Sequence, residues 1–305
     1  MILVAEQVLN GVQFGITLFL MAAGLTLIFG VMNVINLAHG SLYMIGAFIA
    51  AATFNSVHSF LLAIAAALVG TAAVGIAMEI VVFRALYQRD HLDQVLATFG
   101  LILFFNEAVR MIWGATALYA EVPAFLSGQV EILPGIPYPA YRLAIIGVGL
   151  VVALSLYLLV MRTRIGMLIR AGASDRTMVA ALGVNITLLY TLVFGLGAAL
   201  AALAGALAGP VFTVESGMGD DLLILAFVVI VIGGIGSIRG AFIAAVLVGV
   251  VDTMGRAFLR PLFALVMSGY AADNAGPATA SMLIYILMAT VLFFRPEGLF
   301  PRAKR

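Results

Sequence analysis

Long apolar stretches alternate with short polar segments along almost the whole chain. Nine stretches are largely apolar, at 8–30, 40–57, 60–83, 94–114, 141–161, 187–214, 222–238, 240–258 and 279–294. Because a helix needs roughly 20 apolar residues to cross the hydrocarbon core, the pattern predicts an all-α integral membrane protein, a polytopic helical bundle of about 7–9 spans. No polar stretch is long enough to form a soluble core, so we expect a single transmembrane domain over residues 1–305.

One apolar stretch, 222–258, is interrupted by the glycine-rich sequence GGIGSIRG. In lipid, such a break survives only where protein or a water-filled cavity supplies partners for the backbone. The stretch is therefore predicted either as two full crossings or as a broken, re-entrant pair. A second break, NVINLAHG, lies in the first half, and the word GAFIAA follows both, at 46–51 and 240–245. This fits an internal repeat, as in many transporters, or chance in a chain rich in Ala, Gly and Ile.

Composition excludes a soluble protein and several kinds of chemistry. Apolar residues make up 64% of the chain and charged residues only 10%, against about 25% charged in a soluble domain. With a net charge of +1 there is no electrostatic case for nucleic-acid binding, and without cysteine there is no thiolate chemistry. The three histidines are scattered, so no metal site is expected. Lys304 is the only lysine, which rules out a P-loop, so any ATP chemistry must come from a partner.

Arginine placement predicts the orientation. Ten of the fifteen basic residues lie in three segments, around 84–89, 162–176 and 295–305, and these alternate correctly if all three are cytoplasmic. The segment 115–140, which has no basic residue and four of the nine prolines, then lies outside. The opening residues carry no Lys or Arg, unlike the start of a signal peptide. The C-terminus is predicted inside and the N-terminus outside.

The longest polar cytoplasmic segment, 162–186, is predicted to turn at Gly166 and then form a short helix at about 175–182. Ser174 or Asp175 can cap the start of this helix, and Gly183 lies where a glycine would end it. Three apolar residues are spaced for one stripe, Met178, Val179 and Leu182. A short capped helix between two spans suits docking of a soluble partner. The alternative is an ordinary loop with the usual inside-positive arginines.

The two breaks carry the candidates for a translocation path. The first contains the polar residues Asn33, Asn36 and His39, followed by Gly40. They could line the path, and a helix starting near Gly40 would aim N–H groups at a substrate carboxylate. The alternative is that these side chains only hydrogen-bond between helices. In the second break, three glycines suit either an irregular turn in the path or close helix packing: Gly233, Gly234 and Gly236.

Most remaining charges are predicted to neutralise one another near helix ends. The groups are Asp252 with Arg256, and Asn106 and Glu107 with Arg110, for which a substrate role is the alternative; Glu79, five residues before Arg84, is expected at the inner interface. Spacings of three and four residues place side chains on one helix face. Asp220 and Asp221 are predicted to begin a helix, where carboxylates complement the dipole.

Four segments carry a family resemblance: GLTLIFGVMNVINLAHGSLYMIGAF (24–48), GMLIRAGASDRTMVAALGVN (166–185), VIGGIGSIRGAFIAAVLVGVV (231–251) and RPEGLF (295–300). In order and spacing they resemble the LivH-type permeases of bacterial branched-chain amino acid ABC transporters, over nearly the whole chain. The resemblance is specific for the permease class. It is less specific for the substrate, because relatives are associated with amides and urea.

The resemblance implies a transport subunit of the bacterial inner membrane that is not itself an enzyme. The implied partners are a LivM-like second permease, two ATP-binding subunits and a periplasmic substrate-binding protein. ATP and Mg²⁺ would be bound by the ATP-binding subunits, and no cofactor by this chain. The resemblance also makes 166–185 the loop that couples to the ATPases, with the candidate residues Gly166, Arg170, Ala171, Ser174, Asp175, Ala180, Leu182, Gly183 and Asn185.

Two alternatives to this function stay open. The same family could import other amino acids, amides or urea. An ion-coupled secondary transporter would need an ionisable residue deep in the membrane, and His39 is the candidate, since the acidic residues cluster near predicted span ends. An intramembrane enzyme has little support, because the chain contains neither HExxH nor GxSxG.

Reversing two charges in the loop tests its assignment. Asp175→Lys combined with Arg170→Glu is expected to abolish transport while the protein stays in the membrane, because the helix cap and the docking charges are both changed. Uptake and membrane content are measured together. Surviving transport with normal ATPase association would contradict the assignment of the coupling loop.

Overall fold

The computed structural model describes residues 2–133 and 135–300, and this part of the chain is mostly helical. The helices are α1 (Ile2–Met32), α2 (His39–Val57), α3 (Phe60–Met78) continued by a π-helical turn (Glu79–Phe83) and α4 (Arg84–Leu86), α5 (His91–Trp113), α6 (Ala140–Arg162), α7 (Arg164–Gly172), α8 (Arg176–Ala181), α9 (Ile186–Ala208), α10 (Met218–Gly233), α11 (Ile238–Phe263) and α12 (Gly269–Phe294). With Phe60–Leu86 counted as one, eight helices in these residues are long and apolar enough to cross a membrane. The prediction of an all-α polytopic membrane protein is confirmed.

A small hairpin interrupts the helices in the segment predicted to lie outside. Its strands are β1 (Gln129–Leu133) and β2 (Ile136–Pro139), paired antiparallel. The N–H of Gly135, which has a φ of 82°, donates to Glu131 Oε1 at 2.7 Å. Positive φ at the turn favours glycine. The prolines of β2 lack ladder donors, which suits so short a pairing.

The uncertain stretch 222–258 forms one short helix and one long one. α10 has 16 residues, which at 1.5 Å per residue span about 24 Å, less than a hydrocarbon core of roughly 30 Å. A turn at 234–237 separates it from α11. As predicted, Asp220 and Asp221 lie in the first turn of α10. The predicted span 187–214 is too long, because α9 ends at Ala208 and Pro210 cannot continue a helix.

The described chain contains two compact units, and neither is a continuous segment. The first unit comprises the chain up to Phe19, Val122–Val151 and the chain from Phe227. The second comprises Leu20–Glu121 and Val152–Ala226. Since each unit is assembled from separate stretches, neither can be cut out of the chain as one piece. Of the basic tail, Arg302, Lys304 and Arg305 lie outside the described residues.

Close backbone approach holds the second unit together around α2, α3 and α9. A Cβ on Gly46 of α2 would lie 2.4 Å from Ala202 Cα of α9, and one on Gly75 of α3 would lie 2.5 Å from Ala198 Cβ. Small residues at these crossings let membrane helices pack by van der Waals contact, the main attraction available in lipid. Their glycines are therefore packing residues.

The first unit uses the same device where α1 crosses α11. A Cβ on Gly249 would lie 2.4 Å from both Gly11 O and Gly15 N. Farther along α11, Arg256 Nε lies 2.9 Å from both oxygens of the buried Asp252, as predicted. α12 packs along α11, so α11 is contacted from two sides.

The other predicted pairs are also observed in part. Glu107 and Arg110 form an exposed ion pair at 3.0 Å. Asn106 does not join them, since its side chain bonds to Asp220, and its backbone carbonyl accepts from Ser216 Oγ at 3.1 Å. Glu79 and Arg84, for which the sequence predicted no pairing, form an ion pair at 3.2 Å.

Both copies of GAFIAA lie on helices that follow a break, but at different positions. The first copy begins at the eighth residue of α2 and the second at the third residue of α11. The shared word therefore does not occupy equivalent places after the two breaks. An internal repeat stays a prediction.

A pair of glycine substitutions tests the packing at α2 and α9. Gly46→Ala is expected to destabilise the protein by about 1–3 kcal/mol, because the new methyl group overlaps backbone atoms of α9. Gly100→Ala on α5 is the matched control, since nothing lies within 4 Å of its added Cβ and alanine is the better helix former. Thermal unfolding in detergent measures both, and equal shifts would contradict the close approach.

Candidate translocation path and docking loop

The first break places the start of α2 well inside the second unit. After α1 ends at Met32, the chain at 33–38 is non-helical, and α2 begins at His39. The imidazole lies beside the backbone of α1 at Met21 and Gly24. Gly24 precedes the end of α1 by eight residues, about 12 Å along the helix. The chain thus turns back along α1 before α2 begins.

The start of α2 meets the start of α10. A Cβ on Gly219 would lie 2.0 Å from Gly40 O, and the Gly217 N–H donates to Met44 Sδ at 3.3 Å. The first N–H groups of a helix have no partner within it and carry its positive dipole end. At α10 the carboxylates of its first turn offset that dipole. At α2 the first turn has no acidic residue.

Buried polar side chains cluster at this start of α2. Asn36 and His39 are fully buried and Ser41 is 2% exposed. The side chains of Asn36 and Ser41 have no hydrogen-bond partner within the described part of the chain, and His39 lies against the backbone of Met21. An unpaired buried polar group costs about 1–3 kcal/mol, so polar side chains gathered here are unfavourable in a purely apolar core. The structure thus brings Asn36, His39 and Gly40 together.

Asn33, predicted with them, lies in a different place. Its φ is 54°, a left-handed conformation that asparagine tolerates better than most residues. It is exposed and lines an open groove of about 330 Å³ together with Val31, Met32 and the segment 172–176. Asn33 is therefore next to the predicted coupling loop and apart from His39.

The three glycines of the second break lie in the first unit, where they end α10. Gly234 and Gly236 have φ of 100° and 79°, which favour glycine. The N–H groups of Leu299 and Phe300 donate to the carbonyls of Ile232 and Gly233, at 2.8 and 3.1 Å. The closing segment RPEGLF thus caps the last carbonyls of α10. No local pattern in the sequence could have indicated this pairing, because its two halves lie over 60 residues apart.

The segment 162–186, the predicted coupling loop and from here the docking loop, contains two helices where the sequence predicted one. The predicted turn at Gly166 is wrong: α7 runs through it, and the chain turns at Thr163, whose hydroxyl accepts the Gly166 N–H at 3.0 Å. A Cβ on Gly166 would lie 2.1 Å from Leu159 O. Glycine is needed here because α7 folds back against the end of α6.

The second loop helix, α8, has the predicted ends. Asp175, not Ser174, is its cap, accepting the N–H groups of Thr177 and Met178 at 2.9 Å. At the other end, Gly183 has a φ of 85° and its N–H donates to Ala180 O at 3.0 Å, as in a Schellman motif. Asn185 then caps α9, accepting the Leu188 N–H.

The three residues of the apolar stripe predicted on α8 differ in burial. Val179 is buried, whereas Met178 and Leu182 are 59% and 76% exposed. Of the other candidates in the loop, Ser174, Asp175, Ala180, Gly183 and Asn185 are exposed, Ala171 and Arg170 are partly buried, and Gly166 is buried. An exposed apolar pair on a capped helix is a surface suited to contact with another protein.

Comparison with known proteins identifies a family for the chain. The family described as branched-chain amino acid transport system / permease component matches residues 7–292. The permease protein BraD of Pseudomonas aeruginosa is 32% identical, over 97% of this chain and 95% of its own length. LivH of Escherichia coli K12 is 30% identical over 96% of each chain. No solved structure matches significantly. The chain belongs to the family of branched-chain amino acid transport permeases.

Proposed function

We propose that this chain is the membrane-spanning permease subunit of an ABC importer for leucine, isoleucine and valine. The observation that carries the proposal is the family match over 7–292, together with relatives named as high-affinity branched-chain amino acid permeases. Eight apolar helices in the described residues are consistent with a multi-pass membrane protein. The bacterial inner membrane is the proposed location, with the docking loop and C-terminus cytoplasmic and the N-terminus periplasmic.

The proposed partner subunits are inferred from the missing P-loop and from the exposed apolar residues of α8. Its only lysine, Lys304, cannot form a P-loop, so two ATP-binding subunits would bind ATP and Mg²⁺. The exposed Met178 and Leu182 of α8 offer them an apolar contact. A LivM-like permease and a periplasmic binding protein complete the proposed complex, and the binding protein sets most of the selectivity.

The transport cycle derives its energy from ATP. ATP that binds the closed ATPase dimer more tightly than the open one shifts the whole complex between outward-open and inward-open states. A ligand with equal affinity for both states would shift nothing. Movement of the ATPase surface would carry α7 and α8 with it, because the docking loop lies in that surface.

The path is proposed to pass the start of α2. Asn36, His39 and Gly40 meet there, at a depth where polar groups need partners that lipid does not supply. A hydrated path supplies such partners. The positive dipole end at the start of α2, with no acid in its first turn, would favour the carboxylate of a passing amino acid.

One observation favours a second candidate function. His39 is an ionisable group buried alongside the middle of α1, where a proton-coupled carrier would place its coupling residue. In that case this chain would transport alone. Import of other amino acids, amides or urea is a narrower alternative that differs only in substrate.

Uptake in proteoliposomes separates these functions. We expect radiolabelled leucine to enter only when the partner permease, ATPases, binding protein and ATP are all present, and to be insensitive to an ionophore. His39→Gln should then leave ATP dependence intact. Uptake by this chain alone that collapses with the ionophore would overturn the proposal, and competition by unlabelled amides or urea would redefine the substrate.

A second pair of variants tests the docking helix. Asp175→Ala removes the acceptor for two N–H groups and is expected to cost about 0.5–2 kcal/mol of local helix stability, with faster amide exchange at Thr177 and Met178 and weaker ATPase association. Asp175→Asn keeps a capping oxygen and is the matched control. If asparagine behaved like alanine, the carboxylate would act through its charge and not through the cap.

A further inference from the structure

Glu79 is a fully buried carboxylate at the end of the third span. Arg84 donates to both of its oxygens, at 3.2 and 3.3 Å, and Tyr87 OH donates to Oε1 at 2.7 Å. Thr191 Oγ1 lies 2.8 Å from Oε2 and also accepts from Arg84 Nη2 at 3.1 Å. A buried charge persists only when it is paired and hydrogen-bonded, and here every oxygen has two partners.

The π-helical turn makes this arrangement fit. The Arg84 N–H bonds to Glu79 O, five residues back, as in a π-helix and not an α-helix. The wider turn brings side chains five residues apart onto one face, so Arg84 can reach both oxygens of Glu79. Burial and the Glu79 carboxylate raise the pKa of Tyr87, which keeps its hydroxyl a donor. Such π-turns are frequent at functional sites.

Thr191 joins this cluster to the docking loop. It lies in the second turn of α9, which starts directly after α8 and its closing glycine. Two residues earlier, Leu189 is buried and lies against Gly172 of α7. Directly before Thr191, the ring of Tyr190 meets the ring of Tyr87 edge to face at 5.2 Å. Displacement of the loop helices therefore acts directly on the residues that hold Glu79.

Gln94 continues the connection to the first break. It is 3% exposed, and its amide donates to the carbonyls of Leu86 and Arg89, in the short turn that follows the Glu79 cluster. Its Oε1 accepts the N–H of Ile35 at 3.3 Å. Ile35 is adjacent to Asn36 and lies in the non-helical segment before α2. One glutamine thus bonds the turn at 86–90 to the proposed path.

We infer that Glu79, Thr191 and Gln94 are the positioning residues that transmit movement of the docking loop to the break before α2. Every contact lies within the second unit, and each is a hydrogen bond, a ring contact or, between Leu189 and Gly172, apolar packing. The inference rests on the proposed function and adds to it the route by which ATPase movement reaches the path. None of these residues needs to touch the transported solute.

The decisive variant is Thr191→Val, which keeps the shape of the side chain and removes its hydroxyl. In the reconstituted complex, leucine imported per ATP hydrolysed should fall about tenfold, the effect of losing one hydrogen bond to a charged group. Thr191→Ser should restore it. Thr187→Val, at an exposed position one turn earlier on α9, is the matched control and should leave the ratio unchanged.

A second measurement reports on the non-helical segment at 33–38. The chain has no cysteine, so Leu37→Cys gives a unique label between α1 and α2. Its reaction rate with a maleimide should change on ATP binding in the otherwise wild-type complex. That response should be lost with Thr191→Val or Gln94→Met. The double variant should be no worse than either alone, since residues of one connection are not additive.

The outcomes separate the inference from the function. A coupling ratio and a Leu37→Cys response that are unchanged by Thr191→Val, in a complex with normal ATP-driven uptake, would overturn the inference alone. Absence of ATP-driven uptake in the wild-type complex would overturn the proposed function and this inference with it. Glu79→Gln is a second variant of the same cluster, and it changes the charge of the side chain but not its size. A folding defect of one variant therefore does not decide the test.

Discussion

The structure depends on one constraint, that a backbone N–H or C=O in lipid must find its partner within the protein. Three non-helical segments meet it in three ways. At 33–38 the side chain of Gln94 accepts an N–H; at 209–217 Val214 exchanges two hydrogen bonds with Leu118; and at 234–237 the closing segment of the chain caps α10. Each break is therefore tied to a distant part of the sequence that completes it.

These completed breaks allow helices to begin inside the bundle. α2 and α10 start where Gly40 and Gly219 touch, and only glycine permits that approach. A continuous apolar helix would bring no polar side chains to this depth, whereas the two helix starts place Asn36 and His39 at α2 and Asp220 at α10. The polar stretch within this apolar protein thus depends on where the helices are interrupted. The interruptions in turn depend on the distant residues that bond to their backbone.

Patterns that are local in sequence were sufficient to predict much of this. The apolar periods predicted the spans, the spacing of Asp252 and Arg256 predicted their pair, and the residues around Asp175 predicted the ends of α8. The long-range features could not be predicted. In the sequence Gly166 suggests a turn, whereas in the structure it lets α7 fold back on α6. No residue near Gln94 or Phe300 indicates which distant backbone groups they bond to. Such contacts depend on tertiary packing, which a single sequence does not display.

Buried polar groups in the second unit are of two kinds, those that are hydrogen-bonded within the protein and those that are not. Each oxygen of the buried Glu79 carboxylate has two hydrogen-bond partners, although the neighbouring Tyr190 hydroxyl has none among the described residues. Paired groups in a low dielectric restrain the helices that carry them. Around His39 buried polar atoms have no partner of ordinary geometry among the described residues, which leaves that region dependent on whatever polar solute or water enters it. A transporter requires both kinds of region. A rigid cluster next to the docking loop can carry force, and a less constrained region at the start of α2 lets a solute pass without being held.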